Sequence, residues 1–245
     1  MSFGLDMLEW VWILMSAVLV GMAKTGLGGL GMLVVPVMAS VFGAKASTGI
    51  VLPMLIIADF FGVSYYHRDA DVRQLIKLVP STIIGVLLAI WVGDMIDEQQ
   101  FHLILAVTII VGVFIMIINI RRPNLIKPNR TFAWVAGLLG GFTTMIGNAA
   151  GPVMSIYFLA MGFQKNKFIG TAAWFFLLVN LFKLPFHVWV WHTIDMDTLK
   201  LNLWISPMIV VGALIGFRIT KLIPERPYKI IIVVSVLFAG LKLFF

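Results

Sequence analysis

The stretch GMAKTGLGGLGMLVVPVM, residues 21–38, interrupts a region of the chain that is otherwise almost continuously apolar. It contains five glycines, together with Lys24, Thr25 and Pro36. Glycine weakens a helix, and proline removes a backbone hydrogen bond from it. The stretch therefore predicts a break between two short apolar helices, with a positive charge placed at the break.

The composition is that of an integral membrane protein. Of the 245 residues, 61% are hydrophobic and 12% are charged, whereas soluble domains have about 25% charged residues. Such a chain lacks the polar surface that would cover a water-soluble globule, so its apolar segments are expected to lie in lipid. The acidic N-terminus MSFGLDMLEW lacks the basic start of a cleavable signal peptide, so the first segment is expected to remain in the mature protein.

Charge and motif content exclude several other classes of function. The net charge of +7 comes from basic residues in short loops between apolar segments, which the positive-inside bias explains better than binding to nucleic acid. The chain has no cysteine, so disulfides and thiolate metal sites are excluded. The motifs of metalloproteases, serine hydrolases and P-loop proteins are absent. We therefore expect no enzyme activity, no cofactor and no metal.

Ten apolar stretches are expected to form helices. Six approach the roughly 20 residues that span a bilayer, and four have only 14 to 16 residues. The short stretches form two adjacent pairs, and each pair opens one half of the chain. The short stretches are about 8–23, 30–43, 132–146 and 149–162, and the longer ones are about 46–66, 75–93, 100–120, 168–191, 201–217 and 227–245.

The two halves of the chain align with each other. GMLVVPVMASVF (31–42) corresponds to GNAAGPVMSIYF (147–158), with matching glycine, proline, valine, methionine and phenylalanine. Further on, an alignment of GIVLPMLIIADFFG with GTAAWFFLLVNLFK places Asp59 opposite Asn180, and PSTIIG corresponds to PMIVVG. The order and spacing indicate an internal duplication within a single transmembrane domain, 1–245.

Loop charges predict that the two halves are inserted in opposite directions. The central loop RRPNLIKPNR (121–130) has four basic residues and no acidic one, so we place it in the cytoplasm. FQKNK (163–167) is expected on the same side, which makes 132–162 a re-entrant hairpin. By the same reasoning, 5–43 is a hairpin that enters from outside.

The predicted fold is all-α, an inverted repeat in which each half opens with a re-entrant helical hairpin followed by three transmembrane helices. Repeat 1 is about 5–120, the basic linker is 121–130, and repeat 2 is about 131–245. Inverted repeats that open with Gly- and Pro-broken segments are typical of secondary transporters, whose substrate site lies where the broken helices meet.

The glycine-rich stretch also resembles a known family. The pattern G-x-x-K-T-G-L-G-G-x-G followed by proline resembles the opening of the TauE/SafE sulfite exporter family, and GLLGGFTTMIGNAAGP (137–152) resembles its degenerate second copy. The resemblance extends over essentially the whole chain. It implies a bacterial-type inner-membrane protein that exports small sulfur-containing anions such as sulfite or sulfoacetate.

The residues at the two breaks are candidates for substrate binding. Helix N-termini attract anions, and glycine lets an anion approach the backbone, although helix packing is the alternative role for the glycines. A lysine within a membrane segment is expected to attract the anion unless it snorkels to the interface. The hairpin breaks are assigned to Pro36 and Pro152. The candidate substrate-binding residues are Lys24, Thr25, Gly26, Gly28, Gly29, Thr144, Asn148 and Asn180.

Three further residues are candidates for coupling or gating. A buried Asp59 would carry a proton, the alternative being an interfacial carboxylate close to the end of its helix. Lys183 and His187 lie one turn apart on one helix face, beside Pro185, although a histidine near a helix end is often interfacial. Trp189, Trp191 and Trp204 are expected to form an aromatic belt.

The predicted function is a secondary transporter that exports a small sulfur-containing anion by alternating access. The alternatives are a permease for another small organic anion, an anion channel, a membrane-embedded enzyme and a scaffold. Coupling to a proton or to the membrane potential, and assembly into a homo-oligomer, are left open. The expected partners are the anion and the lipid bilayer.

Overall fold

A computed structural model describes residues 4–101 and 129–224, with a few isolated positions in the segments that follow each range. In this part of the chain the secondary structure is helical, without a β-strand. The α-helices are α1 (Met7–Lys24), α2 (Gly31–Phe42), α3 (Ala44–Tyr66), α4 (Val72–Met95), α5 (Arg130–Gly147), α6 (Gly151–Ala160), α7 (Lys165–Trp189) and α8 (Met196–Leu222), with 3-10 turns at Gly28–Leu30 and His67–Asp69.

Five of these helices are long and apolar enough to cross a membrane: α1, α3 with the turn that follows it, α4, α7 and α8. The protein is therefore a multi-pass membrane protein. The eight predicted segments that fall in the described ranges coincide with the eight helices to within five residues. The predicted segments 100–120 and 227–245, and most of the basic linker 121–130, lie outside the described residues.

Side-chain caps fix where four of the longer helices begin. Asp6 and Glu9 form a capping box at α1, and Asp71, Asn129 and Asp195 accept backbone N–H bonds at the starts of α4, α5 and α8. Such caps satisfy N–H groups that the first helical turn leaves without a partner. By contrast, neither α2 nor α6 has a side-chain cap.

Asp71 also ties α4 to α7 through an ion pair. Its carboxylate lies 2.7 Å from the Lys167 ammonium, and its backbone N–H donates to the Thr171 hydroxyl at 2.9 Å. Partial burial raises the pKa of Asp71, but hydrogen bonds from Lys167 and from the Gln74 backbone outweigh it, so the pKa lies below its usual value. Asp71 is therefore ionised at neutral pH.

Each short helix pair is broken by a residue with a left-handed backbone. Gly26 has φ +136° between α1 and α2, and Asn148 has φ 53° between α5 and α6. Glycine and asparagine tolerate positive φ better than other residues. Pro152 lies in the first turn of α6, where proline fits a helix start. Pro36, assigned to the first break from sequence, instead lies inside α2.

Small residues bring two helix pairs into close backbone contact. A Cβ on Gly21 or Gly212 would overlap the backbone of the facing helix in the α1–α8 pair, and one on Gly85 or Gly141 would do so in the α4–α5 pair. The helices α3 and α7 also pack against each other. Small residues allow this approach because membrane helices associate largely by van der Waals packing.

Two of the three tryptophans assigned to the aromatic belt are exposed, and the third is not. The side chains of Trp189 and Trp204 are 73% and 71% exposed, as expected for residues that face lipid or its interface. Trp191 is buried, and its ring lies edge-on to that of His187, with centroids 5.2 Å apart. Its assignment to the belt was wrong because the chain turns inward directly after α7.

Candidate functional site

A cavity of about 80 Å³ lies between the two helix breaks. One wall comes from the first break, including Lys24 and Gly28, and the other from the second, including Thr144 and Asn148. A water needs roughly 10–15 Å³ of such space, so the cavity has room for several water-sized groups. Most of the remaining lining is apolar and comes from α2, α3, α6 and α7. Its polar residues are Ser155, Asn180 and Tyr228.

An ion pair stands at the edge of this cavity. The Lys24 ammonium lies 2.9 Å from Oδ1 of Asp59 and 4.0 Å from the centroid of the Phe176 ring. The side chain of Lys24 is 12% exposed, whereas that of Asp59 is completely buried. Nδ2 of Asn180 donates to the second carboxylate oxygen, Oδ2, at 2.7 Å. Asp59 is thus a buried ion rather than an interfacial carboxylate, and Lys24 stands between it and the cavity.

Lys183 lies behind the cavity wall and holds three polar residues together. Its buried ammonium donates to the carbonyl and the hydroxyl of Thr144 at 2.8 and 3.2 Å. It also donates to Oδ1 of Asn148 at 2.7 Å and to Oδ1 of Asn180 at 3.2 Å. All four acceptors are neutral, so dipoles solvate the Lys183 ammonium, and no carboxylate of the described residues contacts it.

The network leaves hydrogen-bond donors for the cavity. Asn148 uses one N–H on the Thr48 carbonyl, at 3.1 Å, and Asn180 uses one on Asp59. Because each amide carries two N–H donors, each has another to offer. The α2 and α6 helices begin at Gly31 and Gly151, which line the cavity. Their first turns lack side-chain caps, and helix starts of this kind are suited to hold an anion.

The buried charges do not balance. With both lysines protonated and Asp59 ionised, Lys24 and Lys183 place two positive charges beside one negative charge, so the cluster then has an excess of one positive charge. An uncompensated charge in a membrane protein interior is costly and is usually paired or functional. A small anion in the cavity would neutralise the excess.

His187 lies one turn beyond Lys183 and does not line the cavity. It is completely buried, with Nδ1 2.8 Å from the Thr193 hydroxyl. Its Nε2 has no hydrogen-bond partner among the described residues. The burial of His187 does not agree with the alternative that it is an interfacial residue. His187 also lies apart from the cavity that Lys24 lines.

The structure brings most, but not all, of the predicted substrate-binding residues to the cavity. Thr25 lies outside it, because its hydroxyl donates to the Gly21 carbonyl at 2.8 Å. Gly29 belongs to the turn Gly28–Leu30, and its surroundings lie outside the described part of the structure. The predicted residues that line the cavity are Lys24, Gly26, Gly28, Thr144, Asn148 and Asn180.

The cavity lining includes residues that the sequence analysis did not name, among them Phe176 and Ser155. Phe176 lies four residues before Asn180, so the helical period places both on one face of α7. Ser155 lies one turn after Gly151 in α6, and the same rule would have found it. The contact of Phe176 with the Lys24 ammonium is a cation–π interaction. Among the described residues, no cluster with metal-binding side chains is found.

The architecture is that of a multi-pass membrane protein with a small cationic cavity between broken helices, an arrangement typical of transporters. The family model for the sulfite exporter TauE/SafE matches residues 13–243, and the chain belongs to this family. Comparison with curated proteins and with solved structures gave no match. Family membership implies a membrane transporter of sulfur-containing anions rather than an enzyme.

Proposed function

We propose that the protein is a secondary transporter that exports a small sulfur-containing anion, such as sulfite or an organosulfonate, across the inner membrane. The observation that carries the proposal is the cavity between the two helix breaks, with Lys24 at its edge and an excess positive charge in the cluster behind it. The substrate site is this cavity.

The anion is held by one cation and several neutral donors. Lys24 supplies the charge, and Asn148, Asn180 and Thr144 supply amide and hydroxyl hydrogens. The uncapped first turns of α2 and α6 add backbone N–H groups. Neutral donors bind an anion less tightly than ammonium groups do, which suits a substrate that must also leave.

Alternating access is supported by the pairing of helices. In the sequence alignment of the halves, α1 and α2 correspond to α5 and α6, α3 to α7, and α4 to α8. The close pair α1–α8 then corresponds to the close pair α4–α5 when the two halves are exchanged. The contact between α3 and α7 joins two helices that correspond to each other in the alignment. Asp59 and Asn180, which correspond in the alignment, are in direct contact. An inverted repeat of this kind would open the cavity alternately to each side.

Flux measurements on cavity variants test the proposed site. We expect Lys24→Met and Asn148→Ala to reduce the flux of labelled sulfite or sulfoacetate into proteoliposomes by roughly 10- to 100-fold, because a hydrogen bond to a charged group contributes about 1.5–3 kcal/mol. Lys200→Met is the matched control, since Lys200 is an exposed lysine paired with Asp197. Wild-type flux in both cavity variants would remove the site assignment.

Counterflow tests the mode of transport. Unlabelled substrate trapped inside the vesicles is expected to accelerate uptake of labelled substrate, because a transporter returns faster when it is loaded. With the membrane potential held at zero by potassium and valinomycin, an anion channel shows no such acceleration. Its absence in an active preparation would then contradict alternating access and favour a channel.

Single cysteines test the proposed inverted topology, helped by a sequence without native cysteine. We expect a membrane-impermeant thiol reagent applied outside intact cells to label a cysteine at Asp97 but not one at Lys127 or Lys165. Permeabilised cells control for access to each site. External labelling at Lys165 would contradict the second re-entrant hairpin.

A further inference from the structure

Two negative groups would compete for the Lys24 ammonium: the Asp59 carboxylate and an anion bound in the cavity. Lys24 lines the cavity, where an anion would bind, and its ammonium already forms an ion pair with Asp59. Asp59 does not line the cavity and is completely buried. An anion that enters the cavity therefore shares Lys24 with a carboxylate that is shielded from bulk water in this structure.

The charge of the anion determines whether the anion and Asp59 can both interact with Lys24 without strong repulsion. With Asp59 ionised, the excess of one positive charge is neutralised by a monoanion. A dianion would leave one net negative charge in the cluster. The dianion and the Asp59 carboxylate would then repel each other across the single ammonium of Lys24. In an environment of low dielectric constant, such repulsion is far stronger than in water. Protonation of Asp59 removes this repulsion, because the cluster then carries two positive charges, which the dianion neutralises.

We propose that Asp59 matches the number of transported protons to the charge of the anion, so that a monoanion moves alone and a dianion moves with one proton on Asp59. This rests on the proposed function and adds to it a rule for substrate charge. The Asp59 carboxylate takes the proton from the side where the dianion loads and gives it back where the dianion is released. Each cycle then moves one net negative charge.

Among the described residues, Asp59 is the group that suits the role of carrying the proton that accompanies a dianion. The helices packed against α3 include α1, α2, α5, α7 and α8. The basic groups from them that act on Asp59 are Lys24 of α1 and Lys183 of α7, and in the ammonium form in which they donate to their partners neither accepts a further proton. His187 lies one turn beyond Lys183, and its hydrogen-bond partner is Thr193.

Two substrates of nearly equal size test the rule on the wild-type protein. Isethionate is a monoanion at all pH values of interest, and sulfoacetate is a dianion near neutral pH because a carboxyl group has a pKa of about 4. In proteoliposomes that contain a pH-sensitive dye, we expect about one proton to move with each sulfoacetate and none with isethionate. At the alkaline end, sulfoacetate flux is expected to fall by about tenfold per pH unit, the slope for one bound proton.

The variant Asp59→Asn, with Asp197→Asn as an exposed control, tests the residue. We expect sulfoacetate flux through Asp59→Asn to become independent of pH and to move no proton, while the control behaves as wild type. Sulfoacetate transport without protons in the wild type would overturn the inference, whether or not the variant folds. Proton movement retained in Asp59→Asn would overturn it as well. If the wild type moves neither anion, the proposed function itself fails, which is a distinct result.

Discussion

Replacement of Lys183 by methionine is expected to reduce anion flux by at least about 100-fold while the protein still folds. Lys183 does not line the cavity, but its ammonium orients Thr144, Asn148 and Asn180, which do. Without it, the amide groups lose a common partner and the buried cluster loses its excess positive charge. Several hydrogen bonds to a charged donor are lost together, and each contributes about 1.5–3 kcal/mol.

The fold is expected to survive because methionine fills a similar volume and removes a buried charge at the same time. Substrate binding by the purified protein, flux in proteoliposomes and thermal unfolding in detergent separate the two effects. Lys200→Met controls for the loss of a lysine. Lys183→Arg keeps the charge but replaces a compact ammonium with a planar guanidinium, so only partial recovery is expected. Full recovery would show that charge alone matters, and unchanged flux in Lys183→Met would remove Lys183 from the site.

Replacement of Gly141 by leucine is expected to destabilise the protein by at least about 3 kcal/mol, the largest stability effect that we predict. A Cβ at Gly141 would overlap the Thr82 carbonyl oxygen and would lie 2.8 Å from its carbonyl carbon. Both atoms belong to the backbone of α4, so the contact is relieved only if α4 and α5 separate. A side chain as large as leucine forces that separation.

The measurements are the yield of monodisperse protein and the unfolding temperature in detergent. Gly28→Ala is the control, because a Cβ there would meet no atom within 4 Å and the variant is expected to unfold as wild type does. Gly212→Leu in the α1–α8 pair should behave like Gly141→Leu, since its Cβ would overlap the Val18 carbonyl oxygen. A stable, monodisperse Gly141→Leu protein would contradict the close approach of α4 and α5.

The sequence predicted the helices and part of the site for reasons that are local. Apolar segment length locates the helices, because it depends only on neighbours along the chain. Glycine clusters and a lysine in an apolar segment mark the first break for the same reason. The alignment of the halves carried this reasoning to Asn148 and Asn180, which lie in the cavity with Lys24.

Other features depended on contacts between distant segments and could not be predicted this way. Pro36 was expected at the break, but the turn is made by Gly26, because a positive φ rather than a missing N–H reverses the chain there. Trp191 was expected at the interface, but the chain after α7 turns inward and buries it against His187. Thr25 was expected in the cavity, but its hydroxyl bonds to a carbonyl of its own helix.

By itself, the sequence determined that this protein is an all-helical membrane protein with two broken helix pairs and charged residues in its apolar segments. Those properties follow from composition and from patterns with a short period. Only the tertiary structure decided how the charges are shared. Lys24 pairs with Asp59, 35 positions away, and Lys183 joins Asn180 of its own helix to Thr144 and Asn148 of the second break. The pairing of buried ions depends on which helices pack together, and a one-dimensional pattern does not contain that information.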